Sequence, residues 1–315
     1  MIKKIIKILL IIFLILVTAI LYLSIFGIKT DKFNNQITNN TLKINKKIKL
    51  TLKKVKYQLN PYNFTINIKT KNPQILLEGR NLGIENIQTN VSIKSLINKE
   101  FSIDYLELVT KEIKLKDIIA LGRVFQDSPQ LFVLNTIIKD GIISANINLK
   151  FDEKGKLKQD YKIAGSIKNV NLNILNKINL KNLNFKFDID QSSYLLKKIK
   201  MKFNEIEITS PLIEIQAKKN SFFVNGQFLN NKKNLDIEEL KLIFANLSSI
   251  TDIKKIEFSS KNNFSFNINK KLKFDNLKVQ STIYLNKLII NKKDLKLKSY
   301  FPSFNEEIKF ENHKI

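Results

Sequence analysis

Cysteine is absent from the 315 residues, so neither a disulfide framework nor a thiolate metal site exists, and the fold holds by burial alone. Histidine occurs once, at His313 in the C-terminal tail, so no zinc set and no histidine-based nucleophilic triad can be assembled. The 8 glycines are scattered singly and make no phosphate-cradling loop. The carboxylate pairs Glu238/Glu239 and Glu306/Glu307 lie in lysine-rich text and read as solvated charge. No catalytic group, metal or cofactor is expected, and the chain does not read as an enzyme. The sequons at Asn63 and Asn263 are what an asparagine-rich chain produces by chance.

Arginine is reduced to Arg80 and Arg123, which leaves 52 lysines behind a net charge of +26. Such a charge raises nucleic acid, a membrane surface or another polyanion as partner. Phosphate readers favour the arginine fork, however, and the joint excess of Lys, Asn and Ile points to an AT-rich genome. With 43% hydrophobic residues the chain can still bury a substantial core.

The N-terminus supplies one long apolar run. Ile8 to Phe26 holds 19 positions without charge, close to the ~20 that span a bilayer as a helix. It exceeds a signal-peptide core, and "LYLSIFGIKT" offers no small-x-small cleavage site. Lys3, Lys4 and Lys7 precede it, whereas Lys29 and Lys32 follow with Asp31 between them, a bias that places the N-terminus in the cytoplasm. The expectation is a single-pass anchor with everything after residue 30 across the membrane, which in a Gram-negative bacterium means an inner-membrane anchor and a periplasmic bulk, and no nucleic-acid partner.

Beyond a polar membrane-proximal segment, "DKFNNQITNNTLKINKK", the text alternates with period two, the signature of strands with one apolar and one wet face. Val55/Tyr57/Leu59 run to a break at Asn60-Pro61, and Phe64/Ile66/Ile68 to another at Asn72-Pro73. Val91/Ile93 and Phe101/Ile103/Tyr105 follow, with a parity shift between Tyr105 and Leu106 that a bulge would absorb. Phe64, Ile66, Ile68, Val91, Ile93, Phe101 and Ile103 are expected to share one continuous apolar lining. Two segments depart from the pattern. In "DSPQLFVLNTIIKDG", Ser128 suits an N-cap, Pro129 the first helical position, Leu131/Leu134/Ile138 one face and Gly141 the stop, and Leu242 to Lys255 is a second helix candidate. Past Gly141, "DEKGK" joins two strand runs as a hairpin. The sequence thus predicts a mainly β chain whose apolar face is covered by a second sheet, a membrane or a lipid.

The anchor followed by "LTLKKVKYQLNPYNFTINIKTKNPQILLEGRNLGIENIQTNVSIKSLINKEFSIDYLELVTKEIKLKDIIAL" resembles the N-terminal region of the AsmA-like family, which includes the TamB and YhdP groups. The resemblance rests on the single span, the hairpin at "NPYNF", the strand from Pro73 to Leu77 and the strand leading into "KEIKLKD", and covers residues 1 to 121. It implies an extended, curled antiparallel sheet, a β-taco groove. The anchor would occupy 1–30, the AsmA-like β region 31–121, a helical insert 122–141 and the continuing sheet 142–315. It also implies a phospholipid partner whose acyl chains lie along the seven lining residues, and a role in lipid transport to the outer membrane or its homeostasis. A β scaffold that assists outer-membrane protein assembly is the alternative, and other envelope proteins or a second copy are further candidate partners. A phosphatase domain fused after Ile315 is therefore expected to be active only outside the cytoplasm; cytoplasmic activity would overturn the orientation.

Overall fold

The computed structural model describes residues 2–314 except 45–47, 78, 99–102, 126–128, 153–155, 175–177, 204–205, 237–252, 270–272, 292–299, 301 and 304–306. The chain is mainly β, its strands forming an open antiparallel sheet with few helices. Two compact units divide it, one comprising 1–127 with 143–165 and the other 128–142 with 166–315.

In the first unit, α1 (Ile2–Ile25) is apolar on every side from Ile8 onward and largely exposed there. Its stretch Lys4–Ile25 has 22 residues and rises about 33 Å, enough for a hydrocarbon layer of ~30 Å. The one hydroxyl in its middle, on Thr18, donates to the Leu14 and Ile15 carbonyls at 2.7 and 2.9 Å, so that group is satisfied within the helix. Only Phe26 and Gly27 separate α1 from β1 (Ile28–Thr30). Gly27 has φ +67°, and a Cβ there would stand 2.5 Å from the Tyr57 carbonyl oxygen, so both conformation and space require glycine.

The polar segment after β1 folds as α2 (Asn34–Ile44), which propensity alone does not predict. Asn34 Nδ2 donates to the Leu52 and Lys53 carbonyls at 3.1 and 2.6 Å, and Thr38 Oγ1 to Leu50 O at 3.2 Å, tying it to β2 (Ile48–Thr51). There follow β3 (Val55–Asn60), β4 (Thr65–Lys71), β5 (Gln74–Leu77) and β6 (Arg80–Ser92). The predicted break at Asn72-Pro73 is present: Asn72 takes φ +48° and donates its N–H to Glu85 O at 2.7 Å, while Pro73 is buried. After β6 the expected strand continuation is replaced by a short helix, α3 (Ile93–Ile97). Then come β7 (Ile103–Thr110), the two-residue β8 (Ile113–Lys114) and α4 (Leu115–Phe125). Ile118 of α4 packs on a buried cluster of Leu82, Ile84 and Ile113.

In the second unit, α5 (Pro129–Ile137) starts at proline as expected but stops before Gly141, because Ile138 already begins β9 (Ile138–Lys150). Gly141 is a strand residue at φ +140°, where a Cβ would meet Val170 Cγ2 at 2.5 Å; it permits close strand approach and does not cap a helix. The expected hairpin joins β9 to β10 (Lys162–Ile174), with the Asp152 N–H on Lys156 O and the Lys158 N–H on Lys150 O; its tip, including Gly155, lies outside the described residues. The unit boundary falls within both strands. The strands β11 (Ile178–Ile189), β12 (Ser193–Phe203), β13 (Ile206–Ala217), β14 (Ser221–Asp236), β15 (Ile253–Asn269), β16 (Phe274–Asn291) and β17 (Glu307–Lys314) then pair each with the next. Of the second helix candidate, residues 253–255 begin β15 and the rest lie outside the described residues, as do Ser128, the N-cap proposed for α5, and Phe101.

The β11–β12 turn is pinned by Asp190, whose Oδ1 accepts the N–H groups of Ser192 and Ser193 at 2.9 and 2.8 Å. These bonds hold its carboxyl below the usual carboxylate value. The associated stability is complete above the unfolded value of about 3.9 and is lost as pH falls through the lower folded value. An unfolding series across acid pH should therefore show a steeper loss for the wild type than for Asp190→Asn. Independently, Leu82→Ala should cost about 2–5 kcal/mol in denaturant unfolding, since Leu82 is 2% exposed in the first unit's core.

Candidate functional site

Residues directly opposite in an antiparallel ladder project to the same side, so register turns a one-strand pattern into a surface. In the first unit Leu59 opposes Ile66, Ile66 opposes Val91, and Val91 opposes Ile103. The next row on that face is Tyr57, Ile68, Thr89, Leu106 and Leu149. A third is Val55, Thr70, Ile87, Leu108 and Ile147. From β3 to β9 these rows are apolar apart from Thr70, Thr89 and the Tyr57 hydroxyl. Burial presses that phenol's pKa up, and among the described residues its oxygen has no hydrogen-bond partner. Phe33 packs edge-on to its ring at 5.3 Å between centroids.

The opposite face is a polar ladder. Asn67 Nδ2 donates to Asn90 Oδ1 at 2.7 Å, Tyr105 Oη to Asn148 Oδ1 at 2.6 Å, and Asn146 Nδ2 to Glu107 Oε1 at 3.3 Å. Tyr105 reaches this side through a bulge. Asn90 opposes Tyr105 while Val91 opposes Ile103, so Asp104 is the extra residue, and its carbonyl accepts the Phe151 N–H at 3.0 Å. The parity shift predicted between Tyr105 and Leu106 occurs one residue earlier and sends Tyr105 away from Ile103's face.

Of the predicted lining, Ile66, Val91 and Ile103 form one row and Ile68 lies in the next. Val91 is covered, at 1% exposure, while Ile66, Ile68 and Ile103 are half-buried. Phe64 sits outside the strands: it takes φ +49° in the turn before β4 and is 70% exposed. Ile93 opens α3, its N–H donated to Phe64 O at 2.9 Å. These two residues therefore close the end of the β4–β6 ladder beyond Thr65 and Ser92, where pleat alternation no longer governs direction. Leu59, Leu106 and Leu149 were absent from the predicted lining; each belongs to an alternating run, but their shared face depends on register between strands far apart in sequence.

The second unit carries an apolar face of its own. Phe187, Leu196, Ile213, Gly226, Phe264 and Val279 succeed one another across β11 to β16. Around Phe264 lie Phe228 and Phe266, at centroid separations of 4.7 and 5.9 Å, and Phe274 is 5.4 Å from Phe266. β17 pairs with β16 only from Tyr284 to Asn291, so among the described residues Phe274 to Ile283 is an unpaired edge, with Phe274 and Leu277 exposed. No known family, curated protein or solved structure matches this chain.

Burial separates two positions on the first unit's face. Val91→Asp places a carboxylate where water does not reach and should cost more than about 4 kcal/mol, whereas Ile66→Asp, half-buried, should cost less than about 2 kcal/mol. Thermal unfolding of the two variants, side by side, reads the difference.

Proposed function

We propose that this chain is an AsmA-like, membrane-anchored protein that holds phospholipid acyl chains against an apolar sheet face and serves lipid transport to, or homeostasis of, the outer membrane. The observation that carries the reading is the two-sided sheet of the first unit, with hydrocarbon rows on one face, an asparagine-rich hydrogen-bonded ladder on the other, and half-buried Ile66, Ile68 and Ile103. An acyl chain laid along those rows removes their remaining apolar surface from water, at ~25 cal/mol per Å². The row of Leu59, Ile66, Val91 and Ile103 is aliphatic throughout, so a chain laid along it meets no polar side chain. The basic flank of α1 favours an inner-membrane anchor with a periplasmic sheet.

A β scaffold that assists outer-membrane protein assembly is the second reading, and the unpaired edge of β16 favours it, since an open strand offers backbone groups to an incoming strand. Mass spectrometry of lipids co-purifying with the full chain in mild detergent discriminates the two. The carrier reading expects stoichiometric phospholipid with the wild type and its loss, with the fold retained, in Ile66→Asp and Ile103→Asp. A lipid-free wild type, or folded variants that keep all their lipid, would sink it.

A further inference from the structure

Three lysines stand in a single cross-strand row where the sheet meets the membrane helix. Lys29 of β1 is directly opposite Lys56 of β3, and Lys56 is directly opposite Lys69 of β4. Like charges so placed, with Cβ atoms ~5 Å apart, destabilise a sheet. None of the three ammonium groups has an ion-pair or hydrogen-bond partner among the described residues. They lie on the polar face, across the sheet from Tyr57 and Ile68.

The row's position relative to a bilayer follows from how the sheet is joined to α1. Gln58 Nε2 donates to the Ser24 carbonyl at 2.7 Å and the Ile25 carbonyl at 3.3 Å, which clamps β3 to the last turn of the helix. Lys56 runs alongside the exit, its Cε 3.2 Å from where a Cβ on Gly27 would stand. Two intervening residues span at most ~7 Å, so β1 begins within the headgroup layer, which adds about 5–7 Å to each side of the hydrocarbon. The negative end of the α1 dipole, about half a unit charge, offsets only part of the +3 carried by the row.

We infer that Lys29, Lys56 and Lys69 form a binding site for the anionic phosphate headgroups of the leaflet from which α1 emerges. Phosphate oxygens bridging the three ammonium groups turn a repulsive row into a multivalent clamp and seat the sheet on the membrane surface. The site rests on α1 spanning a bilayer and is independent of acyl-chain carriage by the apolar face, so either can fail alone.

The test compares thermal unfolding of the full chain in nanodiscs of phosphatidylcholine alone and of phosphatidylcholine mixed with phosphatidylglycerol. The wild type should unfold at a higher temperature in the anionic discs, and added sodium chloride should shrink that gain. The combined variant Lys29→Gln, Lys56→Gln, Lys69→Gln should lose the gain, yet in phosphatidylcholine alone be at least as stable as the wild type, because the repulsion is gone. Lys200→Gln, Lys219→Gln, Lys278→Gln removes the same charge from the second unit and should leave the gain intact. If the triple change at the row impairs folding, Lys29→Gln and Lys69→Gln singly should each reduce the gain. The inference is overturned if the row variants keep the full gain, if the second-unit variant loses as much, or if inorganic phosphate in detergent reproduces the gain without lipid.

Discussion

Everything in the first unit depends on antiparallel register. Each strand alternates apolar and polar residues, but alternation alone says only that two faces exist. The hydrogen-bonded pairing of β3, β4, β6, β7 and β9 aligns the apolar positions into rows and the asparagines into a ladder. A slip of one residue in any pair would carry Ile66 or Leu106 to the wet side, and asparagine among the hydrocarbon rows would lose its partners. The Asp104 bulge shows how tightly this is held. It corrects the parity of β7 where the sequence itself changes phase, so Ile103 and Leu106 stay together although three positions separate them.

The junction with α1 places that two-faced surface. A tether long enough to be flexible would leave sheet and helix independent, whereas here two residues, a glutamine on the helix carbonyls and a three-residue ladder between β1 and β3 join them. Carbonyls of a helix's last turn lack internal partners and must find other donors. Gln58 satisfies two of them from the sheet, so the helix end and the start of β3 are ordered together.

Much of this was legible from residue order. Apolar alternation named the strands, Asn72-Pro73 the bend into β5, and the uncharged run to Phe26 a helix long and apolar enough to span a membrane. What escaped was whatever depends on contact between distant segments. α2 has an ordinary polar sequence and exists because Asn34 and Thr38 find carbonyls of the β2 segment. Phe64 and Ile93 fit the pattern of their neighbours, but a left-handed turn and a helix start lift them off the pleat. Gly141 has the look of a helix stop and serves instead to admit Val170, a neighbour supplied by the next strand. Tyr105 follows the parity of Ile103 in the sequence, but its register opposite Asn90 and its bond to Asn148, 43 positions onward, put it on the other face.

The pairing of β11 through β17, each with its sequence neighbour, gives the second unit a behaviour closer to a zipper than to a globule. Backbone pairing confined to adjacent strands makes much of its free energy a sum of nearest-neighbour terms, as in solenoid arrays, and contacts such as that of the Tyr194 and Phe222 rings, 6.1 Å apart, add reach from β12 to β14. Contacts so local in sequence favour fast, stepwise assembly from any hairpin that forms first. Strands at the β17 end can fray while β12 and β13 stay paired. Duplication or loss of one hairpin alters such a unit's length without rebuilding a core, which leaves length itself free to vary in evolution.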